Sequence, residues 1–144
     1  MAETKPPIPV TLEWQGDHRF QASTPRAAFV LDGDGVAGPS PMQAVAAALA
    51  GCMAIDVVHI LTKGRATIDR VTASLTARRS AEAPAPFVGM TLHFTIVGDA
   101  PGEHVTRAID LSREKYCSVW HSLRQDIAFD TTFTIVAPER GSGR

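Results

Sequence analysis

Only two cysteines, Cys52 and Cys117, occur in 144 residues. That is too few for the disulfide framework with which small secreted domains compensate for a thin core. No charge of one sign predominates, with 14 Lys+Arg against 15 Asp+Glu, so the surface is not one that seeks a polyanion and nucleic acid is not an expected partner. The opening residues Met1 to Pro7 lack the apolar stretch of a signal peptide. The expected address is the cytoplasm, where a cysteine pair is more often catalytic or inert than structural. No internal repeat or low-complexity block is present, and the tail Glu139 to Arg144 reads as a mobile end. One hydrophobic run, Met42 to Leu61, has the length of a membrane span. Asp56 and His59 interrupt it, alanine outnumbers leucine, and a lone span would leave the later strands without a core. A helix buried on most of its sides, in part by a second subunit, fits the pattern better than a span, and no membrane is expected.

What is present is enough for one domain, residues 1–144. Hydrophobic residues make up 44% and charged residues 20% of the chain, and a chain of this size buries roughly two thirds of its unfolded surface. Three short strands read from Val10 to Trp14, Arg19 to Ala22 and Ala28 to Leu31, separated by Gln15-Gly16-Asp17 and Ser23-Thr24-Pro25. A glycine-rich loop follows, and then a strong helix start: Ser40 as N-cap, Pro41 at the first helical position, and Gln43 closing a capping box. Gly64 supplies the stop, which predicts a helix from Pro41 to Lys63, roughly 34 Å long. Strict alternation predicts strands around Val71 to Arg78 and Val88 to Ile96, joined through Pro84-Ala85-Pro86 as a hairpin. From Glu103 to Gln125 the apolar residues keep helical spacing, with two helices meeting near Ser112, and Phe129 to Val136 reads as the last strand. The class is α+β, with an antiparallel sheet and one long central helix.

Two motifs need separating from chemistry. Gly33-Asp34-Gly35-Val36-Ala37-Gly38 satisfies a dinucleotide-binding pattern formally. However, Asp32 and Asp34 would repel a pyrophosphate and Pro39 and Pro41 disturb the turn into the helix, so it reads as a loop. Cys52, Asp56 and His59 on one helix, with Cys117 and His121 on another, match no standard zinc spacing, so neither a metal nor another cofactor is expected. A lone cysteine in an alanine-rich helix is ordinarily a small core residue. Asp56 and His59 share its face at spacings of four and seven residues, and either line a cleft with it or serve a capping or interface role.

The segments Ala50-Gly51-Cys52-Met53-Ala54-Ile55-Asp56-Val57-Val58 and Leu111-Ser112-Arg113-Glu114-Lys115-Tyr116-Cys117-Ser118-Val119 resemble the OsmC/Ohr family, the osmotically inducible and organic hydroperoxide resistance proteins. The likeness is greatest to an uncharacterised OsmC-like branch of it. The resemblance implies an intertwined homodimer with two central helices and active sites at its interface. It implies that Cys52 attacks an organic hydroperoxide, that Cys117 resolves the sulfenic acid as a disulfide, and that an external dithiol of the lipoyl type resets the pair, in defence against oxidative stress. The apolar residues Met42, Met53 and Phe20 would favour alkyl over hydrogen peroxide. A cation must keep the thiol ionised, since Cys52 lies beyond the first helical turn. In the family an arginine does so, held by a glutamate near the helix start, and here the choice is Arg19 over Arg26. The chain departs from the family in carrying Ser40-Pro41-Met42-Gln43 where Asn-Pro-Glu-Gln is found, so Met42 occupies the glutamate's place. That departure keeps open an alternative: a non-peroxidatic OsmC-like protein that binds a small molecule or senses redox state.

Overall fold

The computed structural model describes residues 3–138, and the C-terminal tail lies outside the described residues. The chain divides into two compact units, one up to Val45 and one from Ala46 onward.

In the first unit three strands, β1 (Thr11–Trp14), β2 (Arg19–Ser23) and β3 (Ala28–Asp32), form an antiparallel meander in sequential order. Thr11 faces Ser23 across one pair and Arg19 faces Asp32 across the other. The first reversal uses Gly16 and Asp17, both at positive φ, the conformation for which glycine and aspartate are suited. The long helix α1 (Pro41–Lys63) begins as its sequence signals require. The Ser40 amide donates to Gln43 Oε1 at 2.9 Å and the Gln43 amide donates to Ser40 Oγ at 3.2 Å, so the capping box closes in both directions. Gly38 fits because its α-carbon lies against the Val30 carbonyl, where a side chain would collide with backbone.

The glycine-rich loop has its own anion. The buried Asp32 carboxylate accepts the amides of Asp34 at 2.9 Å, Val36 at 3.3 Å and Ala37 at 2.9 Å. Backbone N–H groups that would cradle a phosphate in a dinucleotide-binding turn are thus occupied by a side chain of the same loop.

The second unit contains β4 (Ile68–Arg79), β5 (Phe87–Gly98) and β6 (Ala128–Val136) in that spatial order, with α1 from Ala46 onward, α2 (Gly102–Leu111) and α3 (Ser118–Ser122). β4 and β5 form the expected hairpin, with Leu75 opposite Leu92 and Ala73 opposite Phe94. One expectation requires correction: β6 runs parallel to β5, with Phe94 beside Phe133, so this sheet is mixed rather than wholly antiparallel. The cause is the helical connection between them, which carries the chain back to the starting end of β5 before β6 begins. Alternation places Met90, Leu92, Phe94 and Ile96 in the core and leaves Thr91, His93 and Thr95 on the other face.

Helix α1 buries a single stripe, Leu49, Met53, Val57 and Leu61, spaced four residues apart. These side chains join the β5 residues, Val105, Ala108 and Ile109 of α2, and Trp120, in one core. The helix is long and apolar enough to cross a membrane by length and composition, with a mean hydropathy of 2.1 over its most apolar window. Much of that apolarity remains uncovered by its own chain: Ile55 is 71% exposed.

The Asp32 carboxyl is held below the ordinary aspartate value, chiefly by the Ala37 amide and then that of Asp34, with Val36 and the charge of Arg19 adding to them and burial opposing. A depressed carboxyl contributes stability above the unfolded pKa of about 3.9 and loses it as pH falls through the lower folded value. Asp32→Asn is therefore expected to lower the unfolding midpoint at neutral pH, with the gap to wild type narrowing under acid. Denaturant melts at several pH values check this; a gap independent of pH would show that the charge plays no part.

Candidate functional site

The buried stripe of α1 fixes the direction of every other side chain on the helix. Cys52 precedes Met53, one of the stripe, by one residue, and so sits about 100° around the helix from it. It is consequently half-buried, packed against the edge of the core. After Leu111 the chain widens into a π-helical turn, Ser112–Tyr116, before α3, a local distortion often found at functional sites. Cys117 closes that turn in an extended conformation and donates its amide to the Ser112 carbonyl at 2.7 Å. Its side chain caps α3, with Sγ accepting the Trp120 amide at 3.3 Å.

Both cysteines are free thiols, and Cys52 is near enough to Cys117 to bear on its proton. Cys117 is fully buried, and its pKa is pushed up to about 11. Burial is the main cause, and hydrogen bonding and charge from Cys52 act in the same direction. The Trp120 amide opposes them. The pair is therefore asymmetric at neutral pH: Cys117 keeps its proton, and the more exposed Cys52 is the thiol that outside reagents can reach.

A second tie holds the same two segments together. The hydroxyl of Ser112, fully buried, donates to Asp56 Oδ2 at 2.7 Å. Asp56 lies one helical turn beyond Cys52, and Ser112 opens the turn that ends in Cys117, so this bond links the α1 segment carrying one sulfur to the turn carrying the other. A hydrogen bond to a charged group contributes about 1.5–3 kcal/mol. Behind Cys117 the wall is aromatic. The Trp120 and Phe129 rings pack at 4.6 Å, and the Arg113 guanidinium lies 4.8 Å from the Phe129 centroid and 5.8 Å from that of Trp120.

Asp56 and His59 do line a cleft, together with Ile60, Lys63, Gly64, Leu111 and Tyr116, with a volume of ≈590 Å³. Cys52 is not among the lining residues; Asp56, one turn from it, and Tyr116, next to Cys117, are. Arg19, the arginine chosen from the sequence, stands in β2 of the first unit with its guanidinium 3.4 Å from the Asp17 carboxylate. Arg26 is exposed in the β2–β3 turn. His121 directs Nε2 to the Arg113 carbonyl at 3.0 Å. Among the described residues, no three His, Cys, Asp or Glu side chains gather as a metal site would require.

Sequence reasoning overlooked Ser112 as the partner of Asp56. The available signal was a serine between Ile109 and Tyr116 on an otherwise apolar helical stripe, where a buried hydroxyl needs a partner.

Residues 32–132 match the family model described as OsmC-like protein. The chain is 44% identical over 111 residues to Protein YhfA of Escherichia coli K12, covering 76% of this chain and 83% of that one. Among solved structures, a hypothetical protein from Aquifex aeolicus VF5 superposes with a TM-score of 0.87 at 23% identity, over 94% of this chain and all of the other. An organic hydroperoxide resistance protein from Legionella pneumophila does so with a TM-score of 0.68 at 16% identity, over 92% and 99%. At such identities these structures speak for the fold alone.

The asymmetry of the pair has a measurable consequence. Alkylation of Cys117 by iodoacetamide is expected to rise with pH toward about 11, and in Cys52→Ser the rise should come at lower pH, since the contribution of the neighbouring thiol is lost while burial remains. Mass spectrometry of the labelled peptide reads both. A Cys117 that labels fully at neutral pH would contradict the assignment.

Proposed function

This chain belongs to the OsmC-like protein family, and on that footing we propose that it is a thiol-dependent peroxidase of organic hydroperoxides. The observation that carries the reading is a half-buried free Cys52 that bears on the proton of a buried Cys117. In the first step the Cys52 sulfur attacks the outer oxygen of the hydroperoxide and the O–O bond breaks. The thiol proton goes to the departing alkoxide, leaving an alcohol and Cys52 sulfenic acid. Cys117 then attacks the sulfenic sulfur, water leaves with the Cys117 proton, and a Cys52–Cys117 disulfide forms. An external dithiol, of the lipoyl type, reduces that disulfide by two exchange steps and is itself oxidised to a disulfide. Burial delays Cys117 until its partner sulfur has become electrophilic, which suits a resolving thiol. The setting is oxidative stress defence in the cytoplasm, on a hydroperoxide too apolar to need a charged pocket around its reacting end.

The protein acts as a homodimer of single-domain subunits, residues 1–144. Support comes from the uncovered side of α1. Ala54, Ile55, Val58, His59 and Thr62 line, with Val71, an open hollow of ≈490 Å³. Beside it a Cβ at Gly51 would meet nothing within 4 Å. A second copy of the same helix fits small residues of this kind against itself and covers the apolar surface.

A second reading rests on Met42. A thioether cannot orient a guanidinium as the family glutamate does, and Arg19 has Asp17 as its ion-pair partner. With Cys52 left without an activating cation, the protein would bind a small molecule or sense redox state without turnover.

Reduced protein mixed with stoichiometric cumene hydroperoxide separates the two. Peroxidase action is expected to consume both thiols of the wild type within seconds, to leave a trappable sulfenic acid in Cys117→Ser, and to leave Cys52→Ser unreacted, as read by intact mass and thiol count. Two intact thiols in the wild type after minutes would reject turnover in favour of the second reading.

A further inference from the structure

The cleft beyond Asp56 carries groups that the thiol chemistry does not use. Its ≈590 Å³ share Ile60, Gly64 and Leu111 with an adjoining hollow of ≈210 Å³, whose other walls are Leu61, His104 and Arg107. Both volumes together lie in the range of small-molecule sites, about 300–1,000 Å³. The floor is apolar, made by Ile60 and Leu61 of α1 and Leu111 of α2. Lys63, from the last turn of α1, and His59 line the larger part, and Arg107 of α2 and His104 line the smaller. Among the described residues, the ion pairs are those of His18, Arg19 and Arg124, and neither Lys63 nor Arg107 takes part in one.

The charge in this cleft is segregated along its length. The sole carboxylate among the lining residues, Asp56, accepts from Ser112 and lies seven residues, roughly 10 Å of helix rise, from Lys63. The same cleft is lined by Ile60, Leu111 and the Tyr116 ring, which is 50% exposed. Such a site offers charge-assisted hydrogen bonds at one end and apolar contact along the rest. A dianion such as phosphate would use only the first, and a neutral hydrocarbon only the second.

We propose that this double cleft binds an amphipathic organic carboxylate, its head between Lys63 and Arg107 and its hydrocarbon laid over Ile60 and Leu111 toward Tyr116. The site goes beyond the peroxidase reading and needs no thiol reaction. Its occupant shields apolar surface at the end of α1 and neutralises two cations that take part in no ion pair among the described residues.

The test is a titration of decanoate, decanol and decyltrimethylammonium, below micelle formation, into the full-length Cys52→Ser protein, followed by NMR of backbone amides and methyl groups. Removing the reactive thiol separates this outcome from that of the hydroperoxide experiment. Decanoate is expected to shift Ile60, Leu111 and Tyr116 saturably. Its binding should be about tenfold tighter than that of decanol, the size of two partly exposed charge contacts, with the cationic detergent weaker still. Lys63→Gln with Arg107→Gln should remove that tenfold, whereas Arg70→Gln on exposed β4 should leave it intact. Both variants are surface changes, and an unchanged melting midpoint verifies the fold. Equal affinity for decanol and decanoate, retention of affinity in the double variant, or shifts confined to other residues would overturn the proposal.

Discussion

Helix α1 can bury only one stripe within its own chain, and the rest of the site follows from that constraint. Leu49, Met53, Val57 and Leu61 occupy the stripe against β5. Their spacing of four residues fixes the rotation of the helix. Cys52 and Asp56 are thereby turned to the flank, half-buried, where the chain returning through α2 meets them. The opposite flank, with Ile55 and Val58, is left without cover. Rotating the helix by one residue would bury the Cys52 sulfur or expose the core, so the same packing that stabilises the unit also determines what reagents reach. Each large apolar side chain in such a stripe contributes about 1.5–3 kcal/mol on burial, enough to hold the rotation against the weaker polar contacts around it.

The polar contacts then set the finer geometry. Ser112 donates to Asp56, the Cys117 amide to the Ser112 carbonyl, and the Trp120 amide to the Cys117 sulfur. These three bonds form a continuous line from α1 through the π-helical turn to α3. The turn supplies what a regular helix does not: it ends in an extended residue whose side chain points inward and whose backbone can still be satisfied. Burial there keeps Cys117 protonated, and the proposed order of events, with Cys52 first and Cys117 second, needs just that difference between two otherwise similar thiols.

Much of this was legible in the sequence where the signals were local. Ser40, Pro41, Gln43 and Gly64 marked both ends of α1, and the bounds Pro41 and Lys63 were reached from them alone. Alternation marked β4 and β5, and the break at Ser112 was visible as a change in the helical stripe. The direction of β6 was not, because parallel or antiparallel pairing depends on how far a connection carries the chain, which no residue near β6 encodes. The Asp56–Ser112 bond spans 56 residues and was likewise out of reach, although a serine on an apolar stripe called for a partner. The pairing of Cys52 with Cys117 came from family resemblance, and periodicity would not have supplied it. The cleft walls at Lys63 and Arg107 carried no signal at all, since isolated cations near helix ends are commonplace.

The proposed redox unit of Cys52 and Cys117 is tested by peptide mapping of the full-length protein equilibrated across a series of glutathione redox buffers. The expected result is a single intramolecular Cys52–Cys117 linkage that appears in one two-electron transition, with little mixed disulfide at any poise. Separate glutathione adducts on Cys52 and Cys117, each with its own transition, would contradict the account.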